Sequence, residues 1–124
     1  MRLGAIVDLL TSCSGHVLLA FTPAEELDDV LMSLPRPMKK PTPRLISILE
    51  SVRERGYEMK PSARTAGITD IGYPIRGLDK RVVAALTIPY LGVLDHSLPT
   101  TVEQTRHLLS RAARKISEAL GSTS

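Results

Sequence analysis

The segment AGITDIGYPIRGLDKRVVAALTIPYL, residues 66–91, decides how the rest of the chain is read. It holds two extended runs, Ile68 to Ile75 and Val82 to Ile88, joined by the polar group Gly77-Leu-Asp-Lys80. The second run carries Val82, Val83, Ala84, Ala85, Leu86 and Ile88 almost without interruption, a pattern that suits a strand covered on both faces. A buried helix also fits an unbroken apolar run. The β-branched residues and the turn chemistry of Gly77 to Lys80 favour a strand folded back on its neighbour. The segment is therefore predicted to be a hairpin at the centre of a sheet.

Polar residues interrupt this hairpin. Asp70 stands between Ile68 and Ile71, and Thr87 and Pro89 break the end of the second run. Period-two alternation puts Asp70 on a face with Ile68 and Gly72, and Thr87 on a face with Ala85 and Pro89. Two readings of Asp70 stay open. One is a solvated carboxylate on an edge strand, since ionised carboxylates are seldom buried unpaired. The other is a polar spot in an apolar hollow, where a few polar groups orient a ligand.

A chain of 124 residues is one domain of ordinary size, able to bury about two-thirds of its unfolded surface. Hydrophobic residues at 43% and charged residues at 23% fit a globular protein and exclude a disordered one. With one Phe, three Tyr and no Trp, the core must be aliphatic. The single Cys13 cannot form an internal disulfide, and no segment has the order of a secretory signal, so the expected location is cytoplasmic. No apolar run approaches the roughly 20 residues that span a bilayer, so no membrane segment is expected. Sixteen basic against thirteen acidic residues give a net charge of +3, too little for a nucleic-acid footprint. The densest basic cluster, Arg36, Lys39, Lys40 and Arg44, lies in a proline-rich connector.

Along the chain, an apolar segment from Leu3 to Leu10 leads into the small polar set Thr11 to Gly15, which opens a short helix through His16 to Phe21. A helix starting near Ser14 leaves backbone N–H groups able to take a carboxylate or phosphate, or else capped by Ser12 or Ser14. Thr22-Pro23-Ala-Glu25 reads as a capping box starting a helix from Pro23 to about Ser33, with Leu27, Val30 and Leu31 inward and Glu25, Glu26, Asp28 and Asp29 on a solvated face. Leu34 to Pro41 holds three prolines and is irregular. Thr42-Pro43 starts a helix through Leu45, Ile48, Leu49 and Val52 that stops at Gly56. Tyr57 to Met59 is a strand candidate, Lys60 to Thr65 a loop that puts Arg64 near Asp70 in sequence, and Gly92 to Leu98 another loop. Thr100 with Glu103 reads as a capping box for a final helix whose inner face is Val102, Leu109, Ala112, Ala113, Ile116, Ala119 and Leu120, closed by Gly121.

Catalytic motifs are lacking. His16, His96 and His107 are scattered without a second ligand nearby and read as surface residues, so no metal is expected. There is no nucleophile elbow, no Walker or dinucleotide glycine loop, and Ser14-Gly15-His16 is too local to pair a nucleophile with its base. Neither catalytic residues nor a cofactor are expected.

Three blocks, Ser12-Cys-Ser-Gly-His-Val-Leu-Leu-Ala-Phe21, Val52-Arg-Glu-Arg-Gly-Tyr57, and Gly67-Ile-Thr-Asp-Ile-Gly-Tyr-Pro-Ile75 with Arg81-Val-Val-Ala-Ala-Leu86, stand in one order with a terminal helix ending Ala112 to Gly121. Together they resemble the C-terminal effector-binding domain of the IclR family of bacterial transcription regulators. The resemblance implies an α+β, GAF-like fold, a twisted antiparallel sheet with flanking helices and a small-molecule pocket. It implies a single partial effector domain over residues 1–124, covering the later two-thirds or so of the family's domain, with the winged helix-turn-helix DNA-binding domain absent from this chain. It also implies a homodimer or tetramer that meets DNA only through that missing domain. Family pocket positions match the backbone N–H groups at Cys13 and Ser14, together with Lys60, Ile68, Asp70, Thr87 and Pro89. Asp70 stands where cysteine is common, Lys60 where an acid is common, Pro89 where serine or another small polar residue is common, and Pro61-Ser-Ala-Arg64 replaces an acidic loop. The two exchanges of sign imply a ligand unlike those of small-oxoacid sensors. The expected function is a sensor of a small organic acid, aromatic or sugar-derived. The alternatives are a ligand-free oligomerisation module and a small enzyme.

Overall fold

In the computed structural model, which describes residues 9–62, 65–91 and 101–122, the chain runs α1 (Cys13–Ala20), α2 (Ala24–Met32), α3 (Pro43–Arg55), β1 (Glu58–Pro61), β2 (Ile68–Arg76), β3 (Val82–Leu91) and α4 (Val102–Ala119). The strands form one antiparallel sheet in the order β1-β2-β3. This is the expected α+β arrangement. The segment from Leu3 to Asp8, Arg64, and the loop from Gly92 to Leu98 lie outside the described residues.

The hairpin closes where its chemistry predicts. Lys80 N–H donates to the Gly77 carbonyl and Gly77 N–H to the Arg81 carbonyl, and Lys80 takes a left-handed φ of 66°. A turn followed by one left-handed residue lets the strands keep their twist, at a cost of about 1–2 kcal/mol for a residue with a Cβ. Lys80→Gly is accordingly expected to raise stability by up to about 1 kcal/mol, the conformational freedom of glycine offsetting the rest; urea unfolding checks this. The register slips between Ile75 and Arg76. Arg76 N–H donates instead to Ser117 Oγ at 2.9 Å, which accounts for a buried serine on α4.

Layers build outward from the sheet. On one face α4 packs Leu109 and Ala113 against Ile71, Tyr73 and Ile75, and Arg106 lies over the Tyr57 ring while donating to the Tyr73 hydroxyl. On the other face sits α1, and beyond it Leu19, Ala20, Leu31, Leu45, Leu49 and Val52 form a second aliphatic core with α2 and α3. Thr42 caps α3 through Leu45 N–H, and Gly56 ends it at a φ of 90°, both as the sequence predicts.

Several expectations are corrected. The strand β3 is not covered on both faces: among the described strands it lies at one edge of the sheet, α4 lies mainly over β2, and Val83 and Leu91 are 59% and 67% exposed. Thr22 does not cap α2, because α1 ends just before it and its hydroxyl donates to the Leu18 carbonyl. The last capping box uses Thr101 and Gln104, one residue on from the expected pair, while Glu103 accepts from Arg106. The inner face of α4 is Val102, Leu109, Ala113 and Ser117; Ala112, Ile116, Ala119 and Leu120 are exposed. Lys60 and Pro61 belong to β1 rather than to a loop.

Candidate functional site

Antiparallel register gathers the sequence candidates. Asp70 lies opposite Pro89 on β3 and opposite Lys60 on β1, while Gly72 lies opposite Thr87 and Glu58. Alternation therefore puts Lys60, Ile68, Asp70, Thr87 and Pro89 on one face of the sheet. Because β2 is the central strand, Asp70 is not on an edge; it is half-buried, as are Lys60 and Ile68, whereas Thr87 and Pro89 are exposed.

The start of α1 lies over this face. A Cβ added to Gly72 would meet Cys13 Sγ at 2.9 Å, Thr87 Cγ2 at 3.1 Å and Val17 Cγ2 at 3.1 Å, so the missing side chain is what lets the helix approach. Cys13 is buried, its Sγ 3.9 Å from the Glu58 carbonyl. Burial, then the Glu58 and Asp70 charges, push its thiol up to about 12, with Lys60 opposing. A thiol so held stays protonated near neutrality and is no nucleophile. Ser12 caps α1 by accepting from Gly15 N–H at its side chain and from His16 N–H at its carbonyl, and among the described residues the N–H groups of Cys13 and Ser14 make no hydrogen bond. Those two donors point the positive end of the helix at the loop they follow.

That loop is fixed at three successive residues. A Cβ on Gly15 would lie 2.1 Å from the Leu9 carbonyl oxygen, so backbone meets backbone there. The Leu10 carbonyl accepts from His16 Nε2 at 2.8 Å, and the Thr11 carbonyl accepts from Lys60 Nζ. Lys60, expected to face a ligand directly, thus already holds the loop with one of its three protons.

Sequence reasoning missed His16. It is not a surface residue: it is 4% exposed, with Nδ1 2.8 Å from Oε2 of Glu58, itself 5% exposed. Glu58 Oε1 accepts from Arg55 and from Met59 N–H. Burial acts to raise the Glu58 carboxyl, but the His16 hydrogen bond, the Met59 N–H and the charges of His16 and Arg55 outweigh it and hold the carboxyl below its ordinary value. The available signal was His16 falling on the helix side shared with Ala20, among Val17 and Leu19. His107 is exposed, and position 96 lies outside the described residues. A cavity of about 450 Å³ opens behind the loop, lined by Leu10, Thr11, His16, Met38, Arg44, Ile48 and Lys60 among others.

Among the described residues, no group of three or more His, Cys, Asp or Glu is placed to hold a metal, and no helix is long and apolar enough to cross a membrane.

The family profile described as bacterial transcriptional regulator IclR C-terminal matches residues 1–118. The Thermotoga maritima IclR structure is 33% identical with a TM-score of 0.74, over 98% of this chain and 50% of that one. An IclR homologue from Microbacterium hydrocarbonoxydans, complexed with 4-hydroxybenzoate, is 29% identical with a TM-score of 0.71, over 96% of this chain and 48% of that one. The C-terminal domain of the E. coli regulator KdgR is 28% identical with a TM-score of 0.68, over 92% of this chain and 71% of that one. No curated protein matches the sequence. The chain spans about half the length of the first two of these structures. A family profile covering nearly the whole sequence, with this fold, makes the chain a regulatory and not an enzymatic domain: it belongs to the IclR family of bacterial transcriptional regulators, as a C-terminal effector-binding domain.

Proposed function

We propose that this domain senses a small organic acid, whose carboxylate is held by the N–H groups of Cys13 and Ser14 and by Lys60, while Asp70 and Thr87 take a hydroxyl. The observation that carries the reading is the shared sheet face: Lys60, Asp70, Thr87 and Pro89 are brought together by register, under the start of α1. Ile68 supplies apolar wall on the same face. A homologue complexed with 4-hydroxybenzoate, which carries both a carboxylate and a hydroxyl, supports this class of ligand. Occupancy then biases the arrangement of a homodimer or tetramer, and through it DNA binding by a winged helix-turn-helix domain. Such control requires the acid to bind the two arrangements with different affinity.

A thermal-shift panel of hydroxy-, keto- and aromatic acids tests the reading. At a hundredfold excess over Kd the right acid adds about 2.7 kcal/mol of stability, and Asp70→Ala with Thr87→Val should abolish most of that gain. A response unchanged by both substitutions removes the site assignment. A second reading, a ligand-free oligomerisation module, is favoured by the edge position of β3 among the described strands and by the exposed Leu108, Ile116 and Leu120 of α4. Light scattering that shows assembly, with no acid stabilising the domain, would select it.

A further inference from the structure

Nothing in the proposed acid site uses the buried histidine, yet His16 touches the loop that builds that site. Its Nε2 faces the Leu10 carbonyl, which only accepts, and its Nδ1 faces a Glu58 oxygen. The other Glu58 oxygen is occupied by two donors, Arg55 Nη2 and Met59 N–H, and these with the His16 contact hold the carboxyl below its ordinary value, so Oε2 carries no proton near neutrality. Two acceptors on opposite sides of one ring are satisfied together only when both ring nitrogens carry protons. The ring is then a cation 2.8 Å from its carboxylate, an arrangement that also removes the need to bury either charge alone.

We propose that His16, doubly protonated against Glu58, is a positioning residue of the acid site: it draws in the Leu10 carbonyl and so sets where the Cys13 and Ser14 N–H groups stand. The inference rests on the acid-sensing reading for its functional consequence, but its structural part is independent of any ligand. Carbonyls at Leu10 and Thr11 are held by two different cations, His16 from α1 and Lys60 from β1, and between them they fix the turn into the helix. Losing the ring's second proton leaves Nδ1 and Glu58 Oε2 as two acceptors in contact, so either the pair or the Leu10 bond must open. The charged groups facing this cluster are Glu58 and Lys60 on β1, Arg55 and Arg44 on α3, and Asp70 on β2, with the Cys13 thiol held at about 12 and so silent across the neutral range.

The test is an NMR pH titration of the wild-type chain, following the His16 ring nitrogens together with the backbone amides of Thr11 to Ser14. Amides that move with the same midpoint as the His16 ring support the proposal, and amides that stay still while the ring titrates overturn it. Glu58→Gln supplies an isosteric control: its side-chain amide can donate to a singly protonated ring, so the Leu10 bond survives and the shared midpoint should vanish. A midpoint retained in Glu58→Gln also overturns the proposal. Affinity is read separately, with 4-hydroxybenzoate and the strongest acid of the thermal-shift panel. His16→Ala should weaken binding about tenfold, the worth of one charge-assisted hydrogen bond, while Glu58→Gln stays close to wild type. If no acid binds the wild type, the acid-sensing reading fails while the amide titration still decides the role of His16.

Discussion

Glu58→Ala should cost the domain about 3–5 kcal/mol, the range for removing one partner of a buried ion pair. The substitution strands the His16 ring at 4% exposure, and it also removes the acceptor for Met59 N–H and Arg55. Arg55 is partly exposed and can turn to water, so most of the loss falls on His16. Removing His16 as well should add little, because the two side chains act as one unit, and a double-mutant cycle in urea checks this. The carboxyl also sets an acid limit. It is held below the ordinary 4.5, so its own contribution to stability is lost as pH falls through the depressed folded-state value. Wild type should therefore lose stability below pH 4.5 more steeply than Glu58→Gln, measured as the urea midpoint against pH.

Gly15→Ala is expected to be nearly as damaging, for a steric reason. The new methyl would sit 2.1 Å from the Leu9 carbonyl oxygen and 2.8 Å from Leu9 Cα. Side chains can turn away from such a contact, but here the obstacle is backbone. The segment entering α1 must move, and the cost should reach roughly 3 kcal/mol, the upper end for overpacking, or a fall in Tm of about 10 °C for a domain of this size. The displacement passes to the Leu10 and Thr11 carbonyls and so to the acid site. Acid binding should be lost from Gly15→Ala even at temperatures where the domain stays folded. By contrast Gly56→Ala, at a left-handed φ with nothing within 4 Å, should lose stability through strain without touching binding.

The hairpin was legible because local chemistry alone specifies it: Gly77 to Lys80 can only turn, and the flanking residues are β-branched. Caps at Ser12, Thr42 and Gly56 were legible for the same reason. What local sequence does not encode is which layer lies over a strand. The apolar run Val82 to Ile88 therefore read as buried, although β3 lies at an edge among the described strands and its apolar side chains stay partly in solvent. The helix α4 misled in the same way: its apolar residues form one stripe, but only part of it, with Leu109 and Ala113, meets Ile71 and Tyr73, while Ala112, Ile116 and Leu120 stay exposed. Ser117 illustrates the converse: a polar residue lies inward because a register slip frees the N–H of Arg76.

The candidate site was partly legible. Alternation alone placed Asp70 with Ile68 and Thr87 with Pro89, but it took the hairpin register to show that both pairs share one face. Lys60 opposite Asp70 depended on β1 pairing with β2, which a loop reading of residues 60–65 concealed. The His16–Glu58 pair joins residues forty-two apart in sequence through two elements that contact only in the fold, so no spacing could announce it.

An acid bound between the start of α1 and the face bearing Asp70 and Thr87 must perturb both. A ¹H–¹⁵N titration of the chain with the most stabilising acid of the panel tests this most directly. Saturable shifts are expected, centred on the amides of Cys13, Ser14, Asp70 and Thr87, with the α4 residues beyond the sheet unmoved. Saturable shifts centred on α4 or on the hairpin turn, with those four amides still, would contradict that placement.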